Sequence, residues 1–135
     1  MARKYKKKSP RKVLENKLDE VVKQIIRIRD GVCQHCGKTC IKSDAHTCHV
    51  VPKGKGASWR RFDLLNVFLG CSYCHTEWWH KNILDANDWF KEKFPARYDY
   101  LSKYRGGKAA KITDTQMELL YGLYVVKLTE LRGEK

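Results

Sequence analysis

The chain has 135 residues, enough for one domain with terminal elements but short enough that a bound metal would help to fix its core. Its 28 Lys and Arg against 15 Asp and Glu give a formal net charge of +13. A field of that sign favours a polyanion over an acidic small molecule, which makes nucleic acid the leading partner and a membrane surface a weaker rival. No stretch approaches the length of a transmembrane helix, and no continuous apolar run follows the lysine-rich start, so the expectation is a soluble, cytoplasmic protein with no membrane association.

Residues 1–12, MARKYKKKSPRK, hold seven basic side chains and no apolar stripe, and read as a flexible arm suited to lie along phosphates. From Lys12 to Asp30 the residues Leu14, Leu18, Val21, Val22, Ile25 and Ile28 recur at three and four, the spacing of an amphipathic helix that Gly31 ends. The segment CIKSDAHTCHVVP reads as two short strands joined by a turn around Lys42 to Ala45, with Pro52 ending the second. KGKGASWRR is then a basic, glycine-containing loop. A helix is expected to open at Cys74 and run through HTEWWHKN, and another from Asp85 or Asp88 to Phe94, stopped by Pro95. Lys103 to Lys111 reads as a basic linker. Thr113 with Gln116 resembles a capping box, ahead of a last helix patterned by Met117, Leu120, Tyr124, Leu128 and Leu131. The expected organisation is an arm over 1–12, a metal-stapled domain with its leading helix over 13–94, and a basic linker with an amphipathic helix over 95–135.

Four of the six cysteines form two CxxC pairs, Cys33 with Cys36 and Cys71 with Cys74, while Cys40 and Cys48 lie between them. That is metal spacing in a reducing compartment. Four thiolates in a tetrahedron make a closed structural zinc site, and the loop between the pairs should then fold with the metal. A redox CxxC wants a βαβ neighbourhood that this sequence lacks. His35, inside the first turn, reads as a surface or phosphate contact, and Cys40 as a small buried residue.

The combined pattern CQHCGK, CHVVPKGKG and NVFLGCSYCH over residues 33–75 resembles the HNH, or ββα-metal, endonucleases. IIRIRDGVCQHCGK is also similar to the approach to the first knuckle in the NinG family of phage recombination proteins and in small phage HNH nucleases. The resemblance covers about residues 20–80. It implies a small α+β fold, a zinc-stapled ββα-metal core flanked by N- and C-terminal helices, and a metal-dependent DNA endonuclease acting in a bacterial or phage-infected cell. Branched or recombination-intermediate DNA is the substrate it suggests, with double-stranded DNA the general case.

By that resemblance His49, in HVVP, activates the attacking water, Asn66 holds the loop presenting it, and His75 binds a catalytic Mg²⁺ or Mn²⁺. An imidazole suits the first task if a carbonyl fixes its ring from behind. Where relatives carry an aspartate or histidine before the first histidine, this chain has Cys48, a poor ligand for a hard ion and a fair one for a softer divalent metal. His46, two positions earlier, is the other candidate ligand. Asp44, Glu77 and His80 are remoter candidates. Lys53, Lys55, Trp59, Arg60 and Arg61 are candidate nucleic-acid contacts, with core closure by Trp59 the alternative. The competing class is a noncatalytic zinc-stapled DNA-binding or architectural protein, which Cys48 and the charge support. The stripe of either terminal helix is a candidate homodimer interface or a face buried within one monomer.

Overall fold

The computed structural model describes residues 7–54, 56–105 and 110–133. It is a small mixed α+β fold around a two-stranded antiparallel sheet. Residues 1–6 of the expected arm and 106–109 of the expected linker lie outside the described residues, and 10–12 belong to the first helix, α1 (Pro10–Asp30). That helix starts early because Ser9 caps it by accepting from the Lys12 amide, and Pro10 loses nothing at a first-turn position. Gly31, at φ 76°, turns the chain out of α1 into the first cysteine pair.

Strand β1 (His46–His49) is preceded by a single 3-10 turn (Lys42–Asp44), so the expected local hairpin is corrected: one strand forms there, not two. Its partner is β2 (Val67–Gly70), with His46 opposite Gly70, Cys48 opposite Phe68 and His49 opposite Val67. The turn is diverted by Asp44, whose carboxylate accepts from the Ser72 amide at 3.0 Å and hydroxyl at 2.7 Å and pairs with Lys38 at 3.0 Å. Those partners hold the Asp44 carboxyl at about 2, so it is an ionised tie between the cysteine pairs.

Between the strands lies the short α2 (Trp59–Phe62). After β2 the chain enters a helical turn that widens to π geometry over Cys74–Trp79, then α3 (Ile83–Lys93). Pro95, expected as a stop, instead opens α4 (Pro95–Leu101), because its fixed φ suits a first turn; the break falls at Phe94. Helix α5 (Asp114–Leu131) has the capping box read from Thr113 and Gln116, with both reciprocal bonds present.

All four residues of β2 are buried because its two faces serve two cores. Val67 and Leu69 face α1, α5 and the cysteines; Phe68 faces Trp79, Phe90 and Leu101 on the α3–α4 side. The side chains of α4 and the turn after it also grip the segment before β2. Tyr100 and Tyr104 both donate to Asp63, at 2.8 and 2.7 Å, and Arg97 reaches the carbonyls of Leu65 and Val67. No helix among the described residues is long and apolar enough to cross a membrane.

Candidate metal centre and histidine cleft

Cys33, Cys36, Cys71 and Cys74 converge with their sulfurs all within 4.8 Å of one another. The Cys36–Cys71 Sγ separation is 3.8 Å, which matches the edge of about 3.8 Å for a tetrahedron with Zn–S bonds of about 2.3 Å. Each pair closes a tight turn: Gly37 donates to the Cys33 carbonyl with φ of 78°, the Cys33 amide donates to Lys38, and the Cys74 amide points at the Cys71 sulfur. Burial opposes ionisation of Cys33, yet the amides of Cys36, Cys71 and His35 outweigh it and bring the thiol down to about 7. Burial and the neighbouring sulfurs push Cys74 up, so four thiolates can coexist here only around a cation. The cluster can therefore hold a divalent metal such as Zn²⁺, with no vacant ligand position.

His35 is exposed, as expected, and also packs on its neighbours. Its ring stacks on Trp78 at 3.5 Å between centroids, and Nδ1 lies 3.3 Å from the Cys74 sulfur, where an Nδ1 proton would support a thiolate if a metal were bound. Cys40 is buried as expected, and burial raises its thiol to about 11.

A cleft of about 910 Å³ opens beside the sheet, lined by His46, His49, Lys53, His75 and His80 among others. At its edge His49 ends β1, with Nε2 2.9 Å from the Arg61 carbonyl. A carbonyl only accepts, so Nε2 carries the proton and Nδ1 keeps its lone pair. Burial, with Lys53 adding to it, holds the His49 pKa below the ordinary imidazole value, which favours the neutral ring with its Nδ1 lone pair. The Trp79 indole donates to the His49 carbonyl at 3.0 Å and fixes the strand end.

Asn66 is fully buried and spends its amide on the backbone around that histidine. Its Oδ1 accepts from the Val51 amide at 2.7 Å, and its Nδ2 donates to the carbonyls of Val51 and Arg60 at 2.9 Å each. Residue 66 thus joins the chain after His49 to the helix whose Arg61 carbonyl orients the ring.

His46 and His75 meet through their Nδ1 atoms at 2.9 Å. The Nε2 of His46 donates to the Ser43 carbonyl at 3.0 Å, and the Nε2 of His75 lies 3.0 Å from Nε2 of His80. His75 and His80 are five residues apart, and the π turn brings their rings to 4.6 Å between centroids, tilted by 53°, with the His80 amide donating to the His75 carbonyl. No pattern in the sequence announces a π turn, so the place of His80 behind His75 was not legible there. Burial first, then His80, His46 and other neighbouring charges, depress the His75 pKa to about 4.

The remaining candidates separate. Cys48 is buried against Phe68 and Trp79, does not line the cleft, and has a thiol pushed up by burial; its sulfur sits so close to β2 that a Cβ on Gly70 would come within 2.6 Å. Arg61, expected on the nucleic-acid side, is corrected to a core residue: Asp19 on α1 takes its Nε and terminal nitrogen at 3.1 and 2.6 Å, and the Gly56 carbonyl takes another nitrogen. That ion pair fixes the backbone carbonyl that holds His49, a role the sequence did not signal. Lys53 and Trp59 are exposed, and Arg60 lies partly buried against Gly54. Asp44 belongs to its turn, Glu77 pairs with Lys81 at 2.5 Å, and Lys55 lies outside the described residues.

No family model, curated protein or solved structure matches this chain, so the resemblance to HNH nucleases rests on the residues themselves.

Proposed function

We propose that the chain is a zinc-stapled DNA-binding protein whose histidine cleft makes it a divalent-metal-dependent endonuclease. The binding half draws its support from the four-cysteine cluster and the charge of +13. The hydrolytic half is carried by one observation: His49 has its Nε2 spoken for by a carbonyl and its Nδ1 unassigned, at the edge of a cleft where two further imidazole nitrogens meet.

In this reading the phosphodiester lies along the cleft with Lys53 against its charge. His49 Nδ1 takes the proton of a water that attacks phosphorus, and Asn66 keeps the histidine loop in place. His46 and His75 would hold the ion through Nδ1, with Ser43 and His80 fixing their rings from behind. A divalent ion held there supplies charge stabilisation at the phosphate and the departing 3′-oxygen. The donor pair is all imidazole, so Mn²⁺ or a softer divalent ion fits better than Mg²⁺.

A noncatalytic zinc-stapled DNA-binding module is the second reading. Two observations favour it: the four cysteines are the group of converging ligand atoms found among the described residues, and Cys48 is turned into the core. Incubating the zinc-loaded protein with supercoiled plasmid and with a four-way DNA junction, in Mg²⁺, Mn²⁺ or EDTA, separates the two. Metal-dependent nicking supports the nuclease. Salt-sensitive binding without cutting in any metal leaves the binding module.

A further inference from the structure

Helix α2 is too short to hold itself. The last four carbonyls of an α-helix have no partner within it, so a helix of four residues satisfies none of its own. Three successive carbonyls of α2 go instead to side chains from elsewhere. That of Arg60 accepts from Asn66 Nδ2 at 2.9 Å, that of Arg61 from His49 Nε2 at 2.9 Å, and that of Phe62 from the Tyr124 hydroxyl of α5 at 2.7 Å. The direction of the Arg61 carbonyl, and with it the ring of His49, therefore depends on what grips the residues around it.

The Arg61 side chain is anchored on α1. It is only 6% exposed, and its guanidinium meets both carboxylate oxygens of Asp19, at 3.1 and 2.6 Å, with Glu15 3.9 Å away. Its remaining terminal nitrogen donates to the Gly56 carbonyl at 3.2 Å, in the loop that carries Lys53. A buried ion pair contributes little stability beyond that of well-packed apolar side chains of the same volume. What it supplies is direction, because a guanidinium laid across a carboxylate by two N–H bonds has a fixed plane.

We infer that Asp19 on α1 and Tyr124 on α5 are positioning residues for His49, acting through α2: the carboxylate fixes the residue whose carbonyl holds the ring, and the phenol fixes the carbonyl after it. Both lie outside residues 20–80, the span that resembles the nucleases, so the terminal helices have a task at the cleft besides closing the core. The same guanidinium ties the Lys53 loop to α1, which sets the basic side of the cleft against the histidine side. The consequence for catalysis rests on the reading of His49 as the general base, whereas the hold on its ring is measured without DNA.

Proton exchange at His49 Nε2 reads that hold in the full zinc-loaded, isotope-labelled chain, in mildly alkaline solution where the ring is neutral. The parent is expected to show a protected Nε2 proton. Tyr124→Phe, which removes one hydroxyl, and Asp19→Asn, which keeps the shape of the carboxylate, are each expected to speed its exchange at least about tenfold, with zinc content and helical circular dichroism unchanged. The Trp79 indole proton, bonded to the His49 carbonyl, is expected to keep its rate in both variants, which a general loosening of the fold would not allow. Asp114→Asn, which breaks the surface ion pair of Arg11 between the same two helices, is expected to leave both protons as in the parent. In single-turnover cleavage the Tyr124 and Asp19 variants are expected to lose at least about tenfold in rate at unchanged DNA affinity, since misplacing a reacting group slows the chemical step. Exchange at the parental rate in both variants, or a Trp79 proton that speeds up together with that of His49, would overturn the positioning role. Faster exchange at His49 alone, in a chain that cuts no DNA, would keep the positioning and end the hydrolytic reading.

Discussion

His46 and His75 face each other through Nδ1 at 2.9 Å while the opposite nitrogen of each ring is held elsewhere, by the Ser43 carbonyl and by His80. The Ser43 carbonyl leaves the His46 Nδ1 as an acceptor, which either an Nδ1 proton of His75 or a metal ion in its place satisfies. The arrangement predicts a second class of divalent-metal site beside the four-cysteine cluster. Titration with Co²⁺ should show thiolate-bound cobalt first and a weaker nitrogen-bound class after it. His46→Ala should weaken that second class at least tenfold and leave the thiolate absorption unchanged; one class of ion in the parent would remove the site.

Cys48 has no part in either metal site on this account. Cys48→Ala should keep the zinc content and any metal-dependent cutting of the parent, at a stability cost of about 1 kcal/mol for the lost sulfur packing. Cys48→Asp should lower the thermal midpoint sharply, since it places a carboxylate among Phe68, Trp79 and Gly70. Thermal melts with metal analysis check both; a gain of metal affinity in the aspartate variant would show that residue 48 reaches the cleft.

Removing the amide at residue 66 leaves three backbone groups unpaired in a fully buried place. Asn66→Ala should therefore destabilise by about 2–4 kcal/mol, since each orphaned buried group costs about 1–3 kcal/mol and such costs do not add fully. Urea unfolding measures it. Arg97→Met, which frees the Leu65 carbonyl and leaves that of Val67 to Arg29, should have a smaller effect in the same direction.

The His49 pKa is depressed from 6.5 by burial, so the fold prefers the neutral ring. Its contribution to stability is complete above pH 6.5 and is lost as pH falls from there through the lower folded value. The thermal midpoint should thus decline on acidification below about 6.5. His49→Gln should reduce that decline and leave the part due to His75, whose pKa is depressed to about 4. A parent whose midpoint holds level from about pH 7 to about pH 5 would contradict the neutral, buried assignment.

Much of the frame could be read directly from residue types and spacing. The CxxC pairs named the four-cysteine cluster, the stripe from Leu14 to Ile28 named α1, and Thr113 with Gln116 named the cap of α5. What escaped depended on contacts distant in sequence. Nothing local shows that β1 would pair with β2 instead of its own neighbour, since Asp44 is drawn off by Ser72. Period-two reasoning put His46 and Cys48 on one face, but the π turn gave His46 a histidine partner at the rim and the aromatic cluster took the sulfur. Arg61 looked like a phosphate contact because its carboxylate partner, Asp19, lies on another helix.

The most direct test of the hydrolytic reading is single-turnover cleavage of a labelled DNA duplex and a four-way junction by the parent and by His49→Ala. Both proteins are brought to equal zinc content and equal DNA affinity and assayed in Mn²⁺. The account predicts metal-dependent strand scission by the parent and a loss of at least about a hundredfold in the variant, in the range by which positioned general bases contribute. Equal cutting by the two proteins, or tight binding with no cutting by the parent in any divalent metal, would contradict it.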